Sequence, residues 1–360
     1  MIDRFLDLAK LVAPSGKERP VADYLIDFAK TRGLSCREDD AGNSNGSEAG
    51  NIILTYGDGG NTLFMSHMDT ARSTASLIPV LHEDRITSDG QTVLGVDNRV
   101  GITALLSGLD VILERGTQNP GFTIAFTICE ESNLAGSNHL SLPDSITQAF
   151  AFDSSYRPGT YISQAPGAKN FDVEVIGKAS HSGIAPEAGI NALQIAARAI
   201  SELPLGRVDL ESTMNIGPFS STAATNVIPP RVKLTGEIRS STIDKVERLD
   251  KFVQNHFSKM LAGTGATFTY DSAWDFHPYT IETDAPLRLR LEKALTSAGL
   301  KPVALHSFGG SDVNVLNGKG IPAINLGVGA QNPHSNEEFV LIEDLINATK
   351  IAVELMHNAN

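Results

Sequence analysis

The chain has 360 residues, 41% hydrophobic and 20% charged, which is more apolar material than one core of ~250–300 residues usually holds. Its net charge of −13 and isoelectric point near 5.1 argue against nucleic acid or an anionic membrane as partner, since either needs a basic footprint. Two cysteines make no disulfide framework, Asp3 and Asp7 interrupt any leader-like start, and no apolar run approaches ~18 residues, so a cytoplasmic protein is expected.

The first 35 residues read as helices, with one apolar stripe of Phe5, Leu8, Ala9 and Val12 and a second of Val21, Tyr24, Leu25 and Phe28. Asp39–Gly50, rich in Asp, Asn, Ser and Gly, reads as a loop. Short apolar runs follow at Asn51–Tyr56, Thr62–Ser66, Gly121–Cys129 and Gln148–Phe152, with a helical pattern at Gly101–Leu113. Strands alternating with helices predict an α/β domain whose central sheet is flanked by helices.

After Gln164 the pattern changes. Phe171–Gly177, Met214–Phe219, Arg231–Ser240 and Ala266–Tyr270 read as strands, and Asn191–Leu203 and Asp244–Leu261 as helices. The order βαββαβ predicts a small ferredoxin-like α+β sandwich. Buried runs resume at Pro302–His306 and Pro322–Leu326, and a helix closes the chain near Leu341–Met356. The expected organisation is a discontinuous α/β domain, 1–165 and 277–360, with an inserted domain at 166–276.

Acids and histidines stand where apolar strands end: His67 after Thr62–Ser66, Glu130 and Glu131 after Phe122–Cys129, Asp153 after Gln148–Phe152, and His334 a short loop beyond Ala323–Gly329. In open α/β sheets the carboxyl ends of strands form the ligand crevice. Asp97 stands just before the Gly101–Leu113 helix, near its positive end. Imidazole and carboxylate suit zinc. With one carboxylate shared, five side chains supply three ligands to each of two divalent ions. Three carboxylates and one hydroxide then neutralise the pair's charge, which favours acidified water. Asp69, two residues after His67, can reach the ring nitrogen that faces away from a metal. Of Glu130 and Glu131, one can ligate while the other moves a proton, provided both sit in a turn past the strand.

The ordered set His67-x-Asp69, Gly95-x-Asp97, Glu130-Glu131, Asp153 and His334 resembles the zinc-dependent exopeptidase family of peptidase T, the aminoacylases and the glutamate carboxypeptidases. It is most similar to the peptidase T-like branch. The resemblance covers nearly the whole chain and implies an inserted lid and dimerisation domain. It implies two zinc ions, or cobalt or manganese, with His67 and Asp153 on one, Glu131 and His334 on the other, and Asp97 bridging. It further implies that Glu130 is the general base and that Asp69 orients His67. In the lid, His181 would stabilise the oxyanion, often from the second subunit of a dimer. Asn226 and Arg239 would hold the substrate, and Gly310 and Ser311 would line the pocket. Arg239 suits a carboxylate, to which a guanidinium donates two parallel hydrogen bonds. Family members often carry Asp and Lys after the bridging residue and Asp before the glutamate pair. Here these are Asn98, Arg99 and Cys129. The implied activity is a tripeptide-type aminopeptidase in a homodimer formed through the lid, with N-acyl amino acid deacylase or carboxypeptidase as alternatives and a non-catalytic metal-binding protein as a more remote one.

Overall fold

The computed structural model describes residues 1–116 and 121–359, which fold as two compact units. One comprises Met1–Gln164, Thr280–Ser307 and the chain from Ser311 onward. The other comprises Ala165–Tyr279 with Phe308–Gly310.

The first unit is built on a mixed sheet. Its strands lie in the order Ser35–Glu38, Ile52–Tyr56, Phe122–Thr127, Thr62–His67, Gln148–Ser154, Ala323–Gly327 and Thr160–Ala165, with Val303–His306 alongside the last. The four strands from Phe122–Thr127 to Ala323–Gly327 run parallel. Every residue of Thr62–His67 and Phe122–Thr127 is buried, as expected of parallel strands covered on both faces. Because these strands share a direction, the residues following them emerge at one edge.

Helix Val96–Arg115 covers one face of the sheet and is buried almost all round. Its first residues are irregular: Asp97 and Asn98 have non-helical backbone angles, and the peptide between them is cis. Asn98 therefore does the capping, since its Oδ1 accepts from Gly101 N at 3.0 Å. Arg99, fully buried, donates to the carbonyls of Leu8, Met68 and Leu11 at 3.1, 2.5 and 3.3 Å. Burial lowers its pKa to about 10. Thus two of the three positions where this chain departs from the family pattern, Asn98 and Arg99, are structurally engaged.

Some expectations are corrected in detail. Helix Ile2–Ala9 ends too early to include Val12, which is exposed. Pro79–Leu81, Arg85–Ser88 and Phe339–Leu341 form a small separate sheet with no clear alternating pattern in the sequence.

In the second unit an antiparallel sheet has the order Gly206–Arg207, Thr213–Ser220, Arg231–Ser240, Gly167–Ile176, Thr267–Phe276. Setting aside the two-residue edge piece, this is the ferredoxin-like arrangement. Helices Ala192–Ser201 and Ile243–Leu261 cover one face, over a core that includes Phe171, Val175, Val232, Ile238, Val253 and Phe257. Alternation along Arg231–Ser240 places every second side chain in that core. No helix among the described residues is long and apolar enough to cross a membrane.

Gly101 fixes how closely the Asp97 helix approaches the Asp153 strand. A Cβ there would lie 2.0 Å from the Phe152 carbonyl oxygen, a backbone atom that cannot swing aside. Gly101→Ala is expected to destabilise the fold by about 1–3 kcal/mol through overpacking. Urea unfolding would register this as a lower midpoint, and an unchanged midpoint would contradict the close approach.

Candidate metal centre and active site

The edge formed by the parallel strands gathers the acidic and histidine side chains. His67 ends its strand with its imidazole buried. Its Nδ1–H donates to the Asp69 backbone carbonyl at 3.0 Å, which leaves Nε2 facing Asp97 Oδ1 at 3.0 Å and Asp153 Oδ1 at 3.2 Å. The Asp69 carboxylate lies farther from Nδ1, at 3.4 Å. The expected orienting contact is therefore made more closely by the Asp69 main chain than by its side chain, because the strand has already ended at His67.

The Asp69 carboxylate has other partners. It accepts from Ser15 Oγ at 2.6 Å and from the backbone N–H groups of Glu130 and Glu131 at 3.0 and 3.2 Å. It thereby anchors the single helical turn Glu130–Asn133 to the end of the His67 strand. Cys129, at φ +51, turns the chain out of its strand just before that pair. Buried Glu18 accepts from the Cys129 N–H at 3.0 Å and its thiol at 3.2 Å, so Cys129 supports the turn.

Asp97 divides the cluster. Its Oδ1 faces His67, and its Oδ2 lies 3.6 Å from His334 Nε2. Glu131 Oε1 is 2.9 Å from the same His334 nitrogen. Each oxygen of Asp97 thus faces one imidazole, and each imidazole faces one further carboxylate: His67 with Asp153, and His334 with Glu131. Ligand atoms of His67, Asp97 and Glu131 all lie within 4.8 Å of one another, close enough for one cation to reach. Asp153 is held in turn by Asn98 Nδ2 at 3.1 Å and Asn325 Nδ2 at 3.0 Å.

The electrostatics match this crowding. Burial alone would lower the pKa of His67, but hydrogen bonds to Asp153, Asp69 and Asp97 lift it well above the usual imidazole range. His334 is raised to about 10 by Asp97 and Glu131. Burial would raise Asp97, yet the two histidines hold it at about 2. Glu130 is pushed well above the usual carboxylate range by burial first and by the charge of Asp153 second. Among the described residues no hydrogen-bond donor holds the Glu130 carboxylate, in contrast to Asp69 and Asp153.

The remaining sequence candidates lie elsewhere in the chain. Ser311 caps helix Asp312–Gly318 and accepts from Asn325 at 3.3 Å. Gly310, in the second unit, lies flat on Phe276, whose ring a Cβ would meet at 2.2 Å. Also in the second unit, His181 and Asn226 stand on neighbouring segments joined by Ser182 N to Asn226 O at 3.0 Å and Ile228 N to Ser180 O at 2.9 Å. His181 Nδ1 accepts from the N–H groups of Gly183 and Ile184 at 3.2 and 3.3 Å, so its ring proton sits on Nε2. Arg239 is engaged by Glu237, Nε to Oε1 at 2.7 Å and Nη2 to Oε2 at 2.9 Å, and stands over the Phe276 ring.

Sequence reasoning missed Asn325, Glu18 and Glu338. Asn325 left a signal, a lone amide inside the apolar run Ala323–Leu326. Glu338 left none that separates it from its neighbour Glu337.

Residues 164–264 match the M20 peptidase dimerisation domain. Over 363 aligned positions the chain is 30% identical to YqjE of Bacillus subtilis, an uncharacterised protein, covering 100% of this chain and 98% of that one. The crystal structure of the aminopeptidase PepT from Bacillus cereus superposes with a TM-score of 0.88 at 29% identity, covering 99% of this chain and 97% of that one. A tripeptidase from Staphylococcus aureus superposes with a TM-score of 0.91 at 28% identity and the same coverage. Together with the cluster around Asp97, these likenesses make the chain a metal-dependent peptide hydrolase. It belongs to the M20 exopeptidase family, close to peptidase T.

Because His334 is raised to about 10, it carries a proton at pH 7 in the metal-free chain, whereas a ligand imidazole must be neutral. If His334 is a ligand, loading a divalent ion such as zinc at pH 7 should release protons, and apparent affinity should rise with pH toward about 10. Calorimetry in two buffers of different ionisation enthalpy measures the release. Uptake without any proton release would show that His334 is already neutral.

Proposed function

We propose that the chain is a dinuclear zinc aminopeptidase acting on short peptides, of the tripeptidase type. The carrying observation is that each oxygen of Asp97 faces an imidazole, and each of these imidazoles also faces a further carboxylate. On this reading His67 and Asp153 would hold one ion, Glu131 and His334 the other, and Asp97 would serve both. The donor set fits: imidazole and carboxylate are zinc ligands, and cobalt or manganese would accept the same atoms. Two divalent ions would supply Lewis acidity toward the scissile carbonyl and the attacking water.

The protein's own groups do the rest. Glu130 is the general base that takes a proton from the attacking water and returns it to the departing amine. Its raised pKa and its carboxylate without a hydrogen-bond donor suit a proton carrier. Asp69 holds the backbone of Glu130 and Glu131, and its main-chain carbonyl sets the His67 tautomer. His181, with its proton on Nε2, is the oxyanion donor. Arg239 takes the peptide's carboxylate. Glu237 occupies only its Nε and one Nη2 position, so the Nη1 edge still has two N–H groups to offer. Asn226, Gly310 and Ser311 complete the substrate contacts. The second unit serves as the lid and as the dimer interface, in line with its dimerisation-domain match. Two unpaired cysteines accord with work in the cytoplasm.

A panel of free tripeptides, amidated tripeptides and N-acetyl amino acids tests the substrate class. Tripeptides with a free amino terminus should be turned over fastest, and preference for N-acetyl amino acids would replace this reading with a deacylase. Glu130→Gln should keep two zinc ions per chain while kcat falls by about 10²–10⁴-fold or more. Near-normal turnover in that variant would remove the mechanism. Mixed dimers of His181→Ala and Glu130→Gln chains should regain activity if His181 serves the partner's site, and no recovery in demonstrated heterodimers would assign it to its own chain.

A further inference from the structure

His334 stands in a hairpin closed by reciprocal bonds between Gln331 and Phe339, at 3.0 and 3.2 Å. Glu338, the last residue before the closing strand, is 3% exposed and turns its carboxylate inward. Its Oε1 accepts from the His334 N–H at 2.7 Å. Its Oε2 accepts from Gly95 N–H at 2.6 Å and Val96 N–H at 3.4 Å. One buried carboxylate therefore grips the main chain of two segments far apart in sequence, and these are the segments that carry Asp97 and His334. The hairpin's other side-chain ties run to other segments than Asp97's: Arg72 to the His334 carbonyl and Asn336, Asn336 to the carbonyls of Gly90 and Gln91, Ser88 to the Asn336 carbonyl, and Gln331 to the Ser155 carbonyl.

Holding a charged group in so buried a place costs desolvation, which raises its pKa despite three N–H donors. A role in local folding would need the backbone bonds alone. What the carboxylate adds is a fixed distance between two side chains that must share one ion, and such sites tolerate only about 0.2 Å of error. We infer that Glu338 is a positioning residue, setting Asp97 against His334 for the ion on the Glu131 side. This rests on the two-ion reading above.

Glu338→Gln is the decisive variant, because it keeps the size and one acceptor oxygen but turns an amide NH₂ toward an N–H of the other segment. Exposed neighbour Glu337→Gln is the control. Zinc is titrated into metal-free protein against a chelator, and cobalt(II) absorption follows each site separately. With the unsubstituted chain binding two ions, Glu338→Gln should weaken one of them about 10–100-fold and the other, which keeps His67 and Asp153, distinctly less. Metal-free circular dichroism should match the control, the melt should be lower but still cooperative, and Glu338→Asp, too short to span both segments, should not rescue. Wild-type affinity for both ions in Glu338→Gln would overturn the inference. So would equal weakening of both, or a collapsed metal-free melt, each of which marks a purely structural residue. A single ion in the unsubstituted chain would overturn the two-ion reading itself.

Discussion

Asp97, held between the imidazoles of His67 and His334, is the contact on which the rest of the site depends. Three carboxylates and two imidazoles gathered at a sheet edge would repel one another or recruit protons unless positive charge is shared among them. The pKa directions record that demand: both histidines are driven up, Asp97 is driven down, and Glu130 and Glu131 are pushed up by burial. A field that binds protons so firmly also suits divalent cations. Metal dependence is in this sense a property of the packing around Asp97, and the M20 family assignment agrees with it.

Much of the surrounding structure serves to hold that contact in place. The Asp69 carboxylate ties the glutamate turn to the His67 strand, and Asn98 and Asn325 hold Asp153. Arg99 satisfies the Met68 carbonyl between His67 and Asp69 and reaches back to the first helix. Neutral amides stand where a further acid would deepen the repulsion. Asn98 donates to the Phe152 carbonyl as well as to Asp153, two acceptors that an ionised aspartate could not serve. The substitution relative to the family pattern thus has a local physical reason.

The α/β layering and the ferredoxin-like insertion were legible because strand and helix periods differ and because apolar runs ended at charged residues. His67, Glu130, Glu131, Asp153 and His334 stood out for that same reason. The supporting partners did not. Glu338 follows Glu337, and nothing local says that one is buried and the other exposed. The sheet joining Arg85–Ser88 to Phe339–Leu341 depends on pairing across most of the chain, which short strands do not announce. The role of the Asp69 main chain was hidden too, since a sequence displays side chains and leaves carbonyl directions to the fold. For Arg239, the sequence offered a carboxylate clamp but not its partner Glu237, whose bond engages only part of the donor set.

The second unit interrupts the first between Gln164 and Thr280, and His334 lies beyond that interruption. During synthesis, then, His67, Asp97, Glu131 and Asp153 leave the ribosome long before their remaining partner, with an entire independent core made in between. With His67, Asp97, Glu131, Asp153 and His334 as the proposed ligands, a nascent chain offers an incomplete set until the segment after Thr280 is made. On that reading metal acquisition is coupled to completion of the first unit, since removing the Gln331–Phe339 hairpin would leave four of the five proposed donors while taking away His334 and the Glu338 carboxylate beside it.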